Sequence, residues 1–190
     1  GLNKNLMFRG TAFVSNRANN LVTEGGSLYS KYRFYSEDDI NSHFRMAAFG
    51  RYSFNNSDIH QEQIETMGHN SGLEVGLVVT KLIHKVAISS SLSFEKALDN
   101  TSKNPFPNEF GSTATNYTLS IGKLMYPKKY TSFKQTNINL MLELVGQTIN
   151  ENGYSSIDIV PAVQFIINSQ ARIDLAYRHE LMSSMFRTAP

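Results

Sequence analysis

Residues 156–181, SIDIVPAVQFIINSQARIDLAYRHEL, switch between apolar and polar one residue at a time. Ile157, Ile159, Pro161, Val163, Phe165 and Ile167 form one set, and Asp158, Val160, Ala162, Gln164, Ile166 and Asn168 form the other. After the turn letters NSQA, Ile173, Leu175, Tyr177 and Leu181 share a face, with His179 as the exception. Asp174, Arg178 and Glu180 take the opposite face. A period of two belongs to β-strands, whose successive side chains point to opposite sides, so the stretch predicts two strands joined by a tight turn. Two environments suit such strands. In a soluble sandwich the apolar face meets a core; in a membrane barrel it meets lipid, and the charged face lines the interior.

The rest of the chain has to choose. At 190 residues it suits one domain spanning 1–190, with either a sizeable core or a barrel of modest size. Charged residues make up 18%, below the quarter or so usual in soluble domains. Twelve Phe and nine Tyr without Trp favour strands. The most apolar run, GLEVGLVVTKLIHKVAI, is interrupted by Glu74, Lys81, His84 and Lys85, so a membrane location here means a barrel rather than a helix. A net charge of +2 with no Lys/Arg cluster argues against nucleic acid. The absence of cysteine excludes disulfides, thiol chemistry and cysteine-based zinc sites. The opening GLNKN, without Met, fits a chain matured by removal of a leader.

Nine strands are expected: 6–15, 27–36, 42–54, 72–83, 86–98, 113–126, 134–147 and the opening pair. Long loops are expected at NRANNLVTEGG after the first, at 55–72 after the third, at 99–112 after the fifth and at TINENGYS after the seventh. The 55–72 stretch looks too polar and unpatterned for a core element. Short turns should follow the even strands, including a two-residue turn at His84–Lys85. That alternation is the habit of up-and-down outer-membrane barrels. The fold class expected is therefore an all-β, antiparallel up-and-down transmembrane β-barrel, nine strands visible and about ten, or twelve, in the complete protein.

The polar faces agree. They are poor in Lys and rich in Ser, Asn and isolated charges, whereas a water-facing sheet normally carries more Lys and Glu. The candidates for lining the interior are Arg33, Arg45, Arg51, Glu74, Glu95, Glu143, Asp158, Asp174, Arg178 and Glu180. The three early arginines and the later acids are expected to face each other across a closed lumen. Phe34, Tyr35, Tyr52, Phe54, Tyr126 and Tyr130 sit near strand ends, as interfacial aromatic girdles do.

The segments KYRFYS, AAFGRYSF, NSGLEVGLVVTKLIHKVAISSSLSF, PKKYTSFKQTNINLMLELVGQ and SIDIVPAVQFIINSQARIDLAYRHEL resemble a Bacteroidetes-type family of outer-membrane β-barrel proteins. These are loosely grouped with transporter-like barrels named for aromatic-compound degradation pathways. The resemblance covers most of the chain from residue 27 and lies in strand texture. It implies a bacterial outer-membrane location, outer-membrane lipid and other outer-membrane proteins as partners, and a further strand past MFRTAP.

Catalytic signatures are not legible. His43, His60, His69, His84 and His179 lack HxH or HExxH spacing, so no metal site is expected. Asp174, His179 and Ser183 are close in sequence, but a strand places Asp174 and His179 on opposite faces, which rejects a triad. No cofactor and no enzymatic activity are expected. The interior charges either select a small solute or fill the lumen with ion pairs, and at eight to ten strands filling is the simpler outcome. Pro161 lacks an N–H in mid-strand, so a strand bulge or local unpairing is expected there. Two functions remain: transporter-like passage of a small solute, or a structural subunit of a larger outer-membrane assembly.

Overall fold

The computed structural model describes residues 4–17, 20–40, 42–57, 61–100, 105–107, 109–127, 135–168 and 170–187. Among these residues every regular element is a strand: β1 (Leu6–Arg17), β2 (Asn20–Asp38), β3 (Ser42–Asn55), β4 (Ser71–Ile83), β5 (Val86–Leu98), β6 (Thr113–Tyr126), β7 (Asn137–Ile149), β8 (Ser155–Ile167), β9 (Ala171–Ala176) and β10 (His179–Ser183). β1 to β8 pair in chain order, all antiparallel, and β9 and β10 both pair with β8. Because Ala162 faces Ala176 and Ile159 faces His179, β9 and β10 keep one register and form a single interrupted ninth ribbon. The result is an up-and-down sheet of nine ribbons curled into a half-barrel. Among the described residues no ladder joins β1 to the ninth ribbon, so both remain edges.

Three connections depart from the expectation. The stretch NRANNLVTEGG was expected to loop; instead β1 and β2 run on to an Arg17–Asn20 pair. This hairpin overshoots β3, whose last residue, Asn55, faces Gly25. A bulge at Phe13/Val14 takes up the twist, and Gly25 makes it possible: with φ of 149°, a Cβ there would lie 2.1 Å from the Phe54 carbonyl oxygen. The connection after β7 is only five residues, 150–154, where a long loop was expected, so the strict long–short alternation does not hold. The His84–Lys85 turn does close β4 and β5, with His84 at φ 53°.

Side-chain distribution is reversed from a soluble domain. Leu77, Leu92, Leu119, Leu142 and Leu175 stand exposed on the convex face. Serines, Asn, Gln and acids fill the buried positions of the concave face, including Ser93, Gln147, Ser156 and Asp158. The apolar cluster of buried residues is small: Ile64, Ala97, Phe106, Ala114, Ile149 and Met185, with Phe110 against them. It sits at one end, where residues 61–70, 105–107 and 109–112 and the segment after β10 fold over the sheet.

Candidate functional site

The concave face carries a row of charged side chains set by register. Arg9 faces Tyr29, Tyr29 faces Arg51, Arg51 faces Glu74, and Glu74 faces Glu95, one residue from each of β1 to β5. Directly opposed side chains in an antiparallel sheet lie close enough to interact. Arg9 and Arg51 each place their guanidinium 5.5 Å from the Tyr29 ring centre. Arg51 Nη1 lies 2.8 Å from Glu74 Oε2, and Ser93 Oγ donates to Glu74 Oε1 at 2.8 Å. Gly76 shapes the floor of the same face. A Cβ there would meet the Ser93 Cβ at 2.5 Å and the Phe49 ring at 2.7 Å, so only glycine admits the Phe49 ring, which lies 5.8 Å from Tyr29 and tilted 33° to it.

The row continues as a polar relay that holds a loop. Asn116 donates to Glu95 Oε2 at 2.7 Å, and Gln147 donates to Asn116 Oδ1 at 2.7 Å. Gln147 then grips the backbone of Ile64 twice: it accepts the Ile64 N–H at 2.9 Å and donates to the Ile64 carbonyl at 2.8 Å. Glu95 accepts the Thr66 N–H at 3.0 Å. At the loop's base, Asn100 donates to the Ser57 and His69 carbonyls, and Asn55 donates to the Gly68 carbonyl. The polar loop expected to stay out of the core is therefore tucked into the concave face, with Ile64 only 2% exposed. Its polarity is what admits it, since its buried backbone groups need the acceptors and donors of β5, β6 and β7.

A second centre closes the same end. Asp158, fully buried, takes both terminal nitrogens of Arg187 at 2.8 and 2.6 Å and the Arg178 Nε at 2.7 Å. Glu180 accepts the Arg187 Nε at 3.1 Å. Glu62 accepts the Phe186 N–H and donates its own N–H to the Phe186 carbonyl, so the loop and the segment after β10 are stitched together.

The remaining candidates are more open. Arg33 donates to the Lys4 carbonyl at 2.7 Å and Asn5 Oδ1 at 3.0 Å. Arg45 pairs with Asp38 at 3.2 Å. Glu143 is half-buried in a cavity of about 390 Å³ shared with Arg9, Tyr29 and Arg51. Asp174 pairs with Arg172 and accepts from Gln164. Ion pairs form within one strand or loop, between neighbouring ribbons, or with the chain's own tail. The early arginines and later acids do not face each other across a closed lumen: Arg51 finds its acid on the next strand.

At Pro161 the register against β7 runs through without a bulge, Leu142 facing Pro161. The proline's missing donor is on the other side. Tyr177 donates to the Pro161 carbonyl at 3.1 Å, and Pro161 has no N–H to return. The ninth ribbon is interrupted there, at Tyr177 and Arg178. A bulge does occur nearby, between Glu180 and Met182.

His43 bonds Asp38, His69 lies 3.1 Å from Glu65, and His179 stacks on Tyr177; His60 and Tyr130 lie outside the described residues. Among the described residues no group of three His, Asp or Glu is placed to hold a metal ion. Sequence reading missed Asn55, Asn100, Asn116, Gln147 and Arg187. Alternation alone puts Asn116 and Gln147 on the Glu95 face, but neutral amides carry no charge signal. Arg187 follows the last strand, where periodicity has ended. Comparison with family models, with curated proteins and with solved structures finds no match for this chain.

Proposed function

We propose that this chain is an integral β-barrel protein of a bacterial outer membrane, non-catalytic and without a cofactor, whose concave face lines a transporter-like path for a small solute. The observation that carries this is the inverted distribution of side chains: an apolar convex face across all nine ribbons and a buried, ion-paired concave one. In water, so large an apolar patch drives association, whereas hydrocarbon solvates it. The aromatics support the same location. On β3 the outward Phe44 and Phe54 are ten residues apart, about 33 Å along a strand. A tilt of roughly 40° reduces that to about 25 Å, the height of an outer-membrane apolar band. Exposed Phe34, Tyr35 and Tyr126 lie at the turn end and Tyr52 and Phe54 at the loop end.

Three cavities follow one another down the concave face. One of about 450 Å³ at the turn end shares Met7, Lys31 and Val78 with the central one of about 390 Å³. That one shares Arg51 and Glu74 with a third of about 160 Å³ beneath loop 61–70. The loop is then the closing element of the path. The test is flux from proteoliposomes, comparing the wild type with Gln147→Leu, which loses both bonds to Ile64. Faster efflux through Gln147→Leu supports a path gated by this loop; no flux through either protein removes it.

Among the described residues β1 and the ninth ribbon each pair on one side only, which favours a second role, as a structural subunit of an outer-membrane assembly whose neighbour completes the wall. Native mass spectrometry from mild detergent separates the two, since a lone chain supports the transporter and a stoichiometric complex supports the subunit.

A further inference from the structure

The turn-end cavity differs from the rest of the concave face in one respect. It is lined by Lys4, Lys31, Arg33 and Arg45 and by no carboxylate. Lys31 and Arg33 are successive inward positions of β2. Arg33 faces Ala47 on β3, so Arg45 is its diagonal neighbour. Deeper on the same face Arg51 has Glu74, Arg178 and Arg187 have Asp158, and Arg9 rests on the Tyr29 ring. Here, among the described residues, Arg33 finds only neutral acceptors, the Lys4 carbonyl and Asn5 Oδ1, and its buried Nε has no acceptor. Lys31 has no ion-pair partner among the described residues. Asp38, paired with Arg45 and His43, lies outside the cavity and is about half exposed. Like charges gathered in a partly enclosed site repel one another, and a buried guanidinium N–H without an acceptor adds the cost of its lost hydration.

Resting on the concave face being a water-filled interior, we propose that this cavity binds an anionic group, a phosphate, sulfate or carboxylate, carried by a small solute or by a lipid headgroup. Both sources offer the same chemistry. A guanidinium fork matches two oxygens of such a group, the Arg33 Nε supplies a donor already desolvated, and Lys31 adds a mobile point charge. A charge brought to this seat relieves the repulsion among Lys4, Lys31 and Arg33, Arg45 being already held by Asp38. Deeper along the same face the next cavity adds Glu74 and Glu143, which repel an anion. The cationic seat is therefore the place of residence rather than a uniform stripe.

The test is calorimetric titration of inorganic phosphate into the folded protein in a neutral detergent. Saturable binding is expected, weakened roughly a hundredfold or more in the Lys31→Gln/Arg33→Gln double variant, since each charge-assisted bond lost costs about tenfold or more. Arg45→Gln, exposed and gentler on the fold, should weaken it less, and Glu143→Gln should leave it or tighten it. No saturable binding by the folded wild type, or equal binding by the double variant, overturns the proposal. Mass spectrometry after reconstitution with phosphatidylglycerol or phosphatidylcholine distinguishes the sources: retained phosphatidylglycerol that blocks phosphate assigns a headgroup, and phosphate binding with no retained lipid assigns a solute. Phosphate binding without flux keeps this site and removes the passage; flux of a neutral sugar without phosphate binding does the reverse.

Discussion

Asp158 is the residue on which the loop end most depends. It is fully buried and holds two arginines, one of them through a two-point contact. Asp158→Ala removes the two-point partner of the buried Arg187 and leaves it Glu180 alone, a loss of about 3 kcal/mol, read as a lowered unfolding midpoint in detergent. An unchanged midpoint would mean that water already compensates Arg187. Glu65 and His69 give the loop a pH response. The bond from Glu65 holds the His69 ring above its ordinary value of 6.5, and the same bond holds the Glu65 carboxyl below 4.5. The raised histidine stabilises the fold fully below pH 6.5 and loses that as pH rises through its folded value. The depressed acid stabilises above pH 4.5 and loses that as pH falls. The pair is thus strongest between about pH 4.5 and 6.5, and partial exposure limits it to under about 1 kcal/mol. A spin label at Met67→Cys should become more mobile on going from pH 6 to 8.5, and His69→Gln should abolish the change. Equal mobility at both pH values contradicts this account of the pair.

At the scale of elements, loop 61–70 is held by side chains rather than by a ladder. The amides of Ile64 and Thr66 should exchange slowly, and Gln147→Leu, which removes two bonds worth about 1 kcal/mol each, should speed Ile64 exchange roughly thirtyfold. Exchange as slow as in the wild type would place the anchor elsewhere. In the ninth ribbon, Pro161→Val supplies the missing N–H opposite Tyr177, so protection around Tyr177 should rise. The strands were legible because period two is a local signal: Leu140, Leu142 and Leu144 alternate with Asn139, Met141 and Glu143 on β7 whatever surrounds them. What was not legible depends on remote partners. Ile64 joins a core through Gln147, 83 positions away, and no local pattern announces it. The glycine-bearing stretch NLVTEGG carries turn letters, yet Gly25 serves a bulge inside a long strand, because the cross-strand carbonyl of Phe54 excludes a side chain.

For the whole molecule, everything turns on which medium bathes the convex face. Its exposed aliphatic and aromatic side chains run from Phe8 and Leu28 on the first two strands to Leu175 and Leu181 in the ninth ribbon, while Ser89, Ser91 and Thr118 line the opposite side. A chain without cysteine makes the direct test simple. Single cysteines at Leu77, Leu142 and Leu175 on the convex face, and at Ser91 and Thr118 on the concave one, would carry spin labels in reconstituted bilayers. Collision with oxygen, which dissolves in lipid, and with a water-soluble nickel chelate then reports the medium. Convex labels that meet oxygen and escape nickel, alternating with concave labels that do the opposite, are the result predicted. Convex labels that meet nickel would contradict the account, because the apolar face would then lie in water.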